Sequence, residues 1–201
     1  MGMVRTTAVA LLLSALPALA QPAPTQRISG TIERAEGHTI VVRPLEGGGT
    51  FEIDLTPKVA VFGVSNARLD DIKPGAFIGV GAMPQPDGSQ RAVQVTILAE
   101  SQRGLGEGHR PWDARPNSTM TNGTVDERVT SVDGPVLTVR YRDGEKKIVV
   151  PADATILAYA VSDLSELKPG AHVALLRVTR KLNGSLEADR VNVGRGGVIP
   201  L

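Results

Sequence analysis

LSELKPGAHVALLRVTRKLNGSLEADRVNV, residues 164–193, has an earlier counterpart in LDDIKPGAFIGVGAMPQPDGSQRAVQV, residues 69–95. Each stretch opens on Leu-x-x-Leu/Ile-Lys-Pro-Gly-Ala and closes on Asp/Asn-Gly-Ser followed by Ala and Val. Upstream, RISGTIERAEGHTIVV at 27–42 is answered by MTNGTVDERVTSVDGPVLTV at 120–139. The offset is 93 from Gly30 to Gly123, 95 from Leu69 to Leu164 and 96 from Asp87 to Asn183. Matches in one order at nearly constant offset identify a duplication.

Each copy divides into the same elements. Alternating apolar residues predict strand 1 over 27–34 and 122–129, and strand 2 over 39–43 and 136–141. Strand 3 follows Gly49 or Gly144, with Phe51, Ile53 and Leu55 alternating in one copy and Lys146, Ile148 and Val150 in the other. One short helix or helical turn per repeat comes next, capped by Asn66 or Ser162, with Leu69/Ile72 and Leu164/Leu167 turned inward. Lys-Pro-Gly ends it, because Pro lacks an amide donor and Gly tolerates positive φ. Strand 4 covers 76–82 and 171–179, and strand 5 covers 92–98 and 188–193. The fold class expected is therefore all-β, as two tandem five-stranded OB-like barrels. An open five-stranded sheet curled on itself fits the same pattern.

The run Gly-Thr-Val, a polar turn ending in Gly, Leu-x-x-Leu-Lys-Pro-Gly, then Asn-Gly-Ser-x-x-Ala resembles a family of small exported bacterial OB-like domains of unknown function. The resemblance is clearest over 122–193. In the first copy Gly47-Gly48-Gly49 lengthens a turn and Met83-Pro84-Gln85-Pro86 interrupts a hairpin. Its matching residues are turn and core positions. It implies a fold and a compartment and carries no catalytic residue across.

Residues 1–20 read as a signal peptide cleaved after Ala20. Arg5 gives the positive start, 8–13 the apolar stretch, and Ala18-Leu19-Ala20 the small-x-small site. A periplasmic or secreted location follows. Beyond Ala20 no apolar run is long enough for a helical span. The domain reading is thus 1–20 signal peptide, 21–100 first domain, 101–120 Gly/Pro-rich linker and 121–201 second domain.

Composition narrows the function. Cysteine is absent, which excludes thiol catalysis, thiolate metal sites and disulfides. Without Arg5 the chain carries 21 basic and 21 acidic residues, from 22 and 21 in the whole sequence. That balance argues against nucleic acid, which is usually met by a basic excess with stacking aromatics. The basic hairpin at Arg140, Tyr141, Arg142, Lys146 and Lys147 reads as a solvated turn. The histidines His38, His109 and His172 hold no repeat-equivalent positions, so no metal site is expected. Neither a Gly-x-Ser-x-Gly elbow nor a phosphate loop occurs, and neither catalytic residues nor a cofactor are read.

The linker carries the candidate site. Its sequence SQRGLGEGHRPWDARPNST, 101–119, holds the chain's one Trp. His109, Arg110, Trp112, Asp113 and Arg115 could form a binding epitope, an aromatic platform with arginine and carboxylate partners. Alternatively, Trp112 plugs a gap between the domains, since a Trp has a large area to bury. The functional expectation is an exported, non-enzymatic binding or scaffolding protein whose partner is an envelope protein or a small ligand. The alternative is a soluble periplasmic accessory of envelope transport, with metal ions as one cargo.

Overall fold

A computed structural model describes residues 25–131 and 134–200. The signal peptide read over 1–20 and its cleavage point lie outside these residues. The described chain is mostly β, with twelve strands and three single 3-10 turns.

The first repeat supplies β1 (Thr25–Glu36), β2 (Thr39–Pro44), β3 (Phe51–Asn66), β4 (Phe77–Pro84) and β5 (Gln90–Ile97). The linker contributes β6 (Gly108–Pro111). The second repeat gives β7 (Thr119–Ser131), β8 (Gly134–Tyr141), β9 (Gly144–Val149), β10 (Thr155–Ser162), β11 (His172–Arg180) and β12 (Leu186–Gly194).

Pairing does not follow the sequential boundaries 21–100 and 121–201. A closed five-stranded barrel, ring one, takes β1, β2 and β3 from the first repeat and β11 and β12 from the second. A second ring is made from five of the seven remaining strands. There β7, β8 and β9 join β4 and β5, with β5 meeting β9 at Gln90↔Ile148 and Arg91↔Val149. The closing hairpin of each sequence copy thus pairs with the first strands of the other copy. The Lys-Pro-Gly turns seal the exchange: Gly75 N–H donates to Val125 O and Gly170 N–H to Ile32 O, both at 2.8 Å. Both glycines sit at positive φ, 84° and 88°, as the turn chemistry requires.

The exchange is symmetric. The second half of β3 runs antiparallel to β10, and Val64 pairs directly with Tyr159, its equivalent 95 residues later. A pseudo-twofold axis therefore passes through that pair.

Strand composition explains the two interiors. Ile32, Ile40, Ile53, Leu175 and Val191 fill ring one, and Ile78, Val80, Leu137 and Ile148 fill ring two. Both cores are aliphatic, as an aromatic-poor sequence dictates. Equivalent bulges bend the first strands, between Ile32 and Arg34 and between Val125 and Glu127. At that bend a Cβ on Gly30 would overlap the Arg43 carbonyl, and one on Gly123 the Arg140 carbonyl. Only glycine lets the strands approach so closely, which is why Gly-Thr is repeated.

Three expectations need correction. The short helix of each repeat is a single 3-10 turn, Leu69–Asp71 and Leu164–Glu166. Its caps lie nearer than Asn66 and Ser162, which end strands. Asp163 accepts from Ser165 N–H at 2.7 Å, and Arg68 N–H donates to Asp71 Oδ2 at 2.8 Å. Strand 3 is longer than read, continuing through 56–66 in the first repeat and resuming as β10 in the second. The linker is not a free tether. Gly104, Gly106 and Gly108 take positive φ, turning the chain back so that β6 lies antiparallel on β7, with His109 opposite Thr121.

Candidate functional site

The site is built on β4 of ring two. Ile78, Val80 and Ala82 alternate into the core, so Gly79 and Gly81 occupy the outer face. Their missing side chains leave a smooth shelf. A Cβ on Gly81 would overlap the Trp112 ring, and one on Gly79 would stand 2.9 Å from Asn122 Oδ1. Trp112 is thus laid flat on the strand, half-buried. The loop after it is closed by Trp112 N–H donating to Ser118 O at 2.9 Å.

A cleft of about 500 Å³ opens beside this shelf. Its walls come from three sources: Arg110, Trp112 and Asp113 of the linker, Gln94, Thr96 and Asn122 of ring two, and Arg27, Arg177, Asp189 and Arg190 of ring one. Tyr159, on the pseudo-twofold axis, lines it as well. The linker is tied to ring one across the mouth, where Arg27 pairs with Asp113 at 3.4 Å.

Of the five residues read from sequence, Arg110, Trp112 and Asp113 line the cleft. His109 and Arg115 do not. His109 stacks on Tyr141 with ring centroids 6.5 Å apart, and its ring Nδ1 is 2.8 Å from Thr121 Oγ1. Burial, then the nearby Lys146 charge, pushes its pKa below the ordinary imidazole value. Arg115 is exposed and offers its carbonyl to Ser118 Oγ at 2.5 Å. Trp112 packs on β4 of ring two and also lines the cleft.

Sequence reading missed Arg27, Asn122, Tyr159 and Arg190. Arg190 rests on the Phe62 ring, 4.7 Å from its centroid, and its Nε donates to Asn192 Oδ1 at 3.2 Å. Burial lowers its pKa, although a guanidinium stays charged. Burial also raises the pKa of Tyr159, holding its phenol protonated. Asn122 is 9% exposed. Its Nδ2 donates to Leu105 O at 2.9 Å, fixing the amide so that Oδ1, buried, has no partner among the described residues. A doublet of glycines alternating with core residues, Ile78-Gly79-Val80-Gly81, was the signal in the sequence that a ring or amide would cover that strand.

Elsewhere, in the basic hairpin, Arg140 pairs with Asp126 of β7 at 2.8 Å. No helix of the described residues is long and apolar enough to cross a membrane. Compared with protein-family models, with curated proteins and with solved structures, the chain matches none.

Proposed function

We propose that this chain is an exported, non-enzymatic binding protein built on two OB-like rings, and that the cleft between rings and linker is its ligand site. One observation carries the reading: polar side chains from the linker and both rings converge on one concave surface. Its volume suits a small molecule, and its mixed lining, an indole and aliphatic side chains with a few placed polar groups, is the usual makeup of such sites. The leader-like 1–20 segment and the resemblance to exported OB-like domains support the compartment.

The test uses the single Trp as reporter. Small-molecule fragments are titrated into the protein while the Trp112 indole N–H is followed by NMR. Binders should perturb Trp112 and Asn122 together, and Gln94→Phe, which fills the cleft, should abolish the effect. Ligands that perturb only residues outside the cleft, or that bind Gln94→Phe unchanged, would overturn the reading. Stoichiometric divalent-metal binding at another surface would instead favour the transport-accessory role.

A further inference from the structure

We infer that the cleft takes a small organic anion, a carboxylate or phosphate joined to an apolar body. This rests on the reading of the cleft as a ligand site and names the ligand's chemistry.

The charges lining the cleft do not balance. Four arginines face it against two aspartates. Both aspartates are engaged, Asp113 by Arg27 at 3.4 Å and Asp189 by Arg177 at 3.2 Å. Arg110 and Arg190 are left with no carboxylate within 4.0 Å among the described residues. Arg110 spends one terminal nitrogen on Gly106 O, at 2.6 Å. Arg190 spends its Nε on Asn192, which leaves both terminal nitrogens of the fork. A partly buried cation without a counter-charge is costly, and an arriving anion relieves that cost with paired N–H···O bonds that suit a carboxylate or phosphate.

Two neutral groups refine the ligand. The Tyr159 oxygen already accepts, from Asn192 Nδ2 at 3.5 Å. Its proton is therefore free to donate to an anionic oxygen. Asn122 Oδ1 is a buried acceptor in want of a donor, which a hydroxyl or N–H on the ligand would supply. The remaining wall, with Trp112, Leu98, Leu105 and Leu176, calls for an apolar body beside the charge.

The experiment titrates octanoate, octyl phosphate, octan-1-ol and octylamine into the full protein, reading calorimetry and Trp112 emission. One or both anions should bind at least about tenfold more tightly than octanol, the effect of one charge-assisted hydrogen-bonded contact. The stronger of the two identifies the headgroup. Arg190→Gln should bring anion affinity down to that of octanol, and Arg190→Lys should restore part of it. If Arg190→Gln does not fold, Arg110→Gln on the exposed linker carries the same test. Octanol or octylamine binding as well as the anions, with Trp112 shifted, would remove the anion inference and leave the cleft a ligand site. Unchanged anion affinity in the Gln variants would do the same. Anion binding that leaves Trp112 unmoved would remove both.

Discussion

Ring two and ring one treat the outer faces of equivalent strands differently. In β4 every residue from Phe77 to Ala82 is buried, although only one face can meet the core. In β11 the two faces differ beyond Leu175, with Val178 buried while Leu176, Arg177, Thr179 and Arg180 are half-buried or exposed. The positions taken by Gly79 and Gly81 correspond, 95 residues on, to Ala174 and Leu176. Glycine admits the Asn122 amide and the Trp112 ring onto ring two, whereas a leucine at the matching place in ring one stands up as cleft wall. Gln94 and Arg190 are likewise equivalent, 96 apart, and face the cleft from opposite sides, one neutral and one charged. Different residues at matched positions, together with the linker, make the two outer faces unlike.

The largest expected effect concerns what each ring needs in order to fold. The strands of ring two lie within one contiguous segment, 77–149, whereas ring one is assembled from 25–66 and 172–194. Fragment 67–154 should therefore show strand-rich circular dichroism and a cooperative melt as a monomer. Fragment 21–100, one whole repeat, should lack both at low concentration, because its β4–β5 hairpin belongs to the other ring. A cooperative monomeric melt from 21–100 would break the contrast between the rings.

A smaller effect makes the two outer faces alike. Gly81→Leu should expel Trp112 from β4 and destabilise the protein by about 1–3 kcal/mol, the usual cost of overpacking. Denaturant titration reads the loss, and Trp112 emission should move to the red. An unmoved emission maximum would mean that the indole does not depend on the glycine shelf.

The smallest effect is a response to pH in the linker of ring two. His109 is held below its ordinary pKa by burial and by Lys146. The unfolded chain thus takes up the proton first, and stability should decline as pH falls from about 6.5, the unperturbed value, through the lower folded value. The decline should be modest because the ring is partly solvated, and His109→Asn should abolish it. A variant with the same pH slope would place the titration elsewhere.

Much of this architecture was legible in the sequence, and the illegible part has a definite cause. Alternation showed which residues face inward, and Lys-Pro-Gly and Asn-Gly-Ser marked the turns, because these signals are local. Partner choice is not local. Once a domain has been duplicated, the hairpin of either copy presents nearly the same apolar face and register, so pattern alone cannot tell self-pairing from exchange. The run Val59-Ala60-Val61-Phe62-Gly63-Val64 and its counterpart Ala154-Thr155-Ile156-Leu157-Ala158-Tyr159 carried the missing clue, two apolar strand-forming segments beyond those a five-stranded unit requires. At the site, Arg110, Trp112 and Asp113 could be singled out because they crowd one short linker. Arg27, Asn122, Tyr159 and Arg190 are scattered along the chain, and the exchanged pairing is what brings them to one wall.

The split of ring one also imposes an order on synthesis. As the chain grows from its N-terminus, the β1–β2–β3 meander emerges first, yet the strands that flank it, β11 and β12, come last. Ring two can close meanwhile, since its sequence is continuous. Until the final hairpin arrives, β1 and β3 present unpaired backbone edges, the kind of surface that recruits strands from other molecules. Closing so wide a loop late is slow, as non-local pairing generally is. The last hairpin of a neighbouring copy would fit the same edges, so refolding is expected to divide between closure within one chain and pairing between two. Refolding at rising protein concentration, followed by sizing, should make that competition visible as a growing dimer fraction.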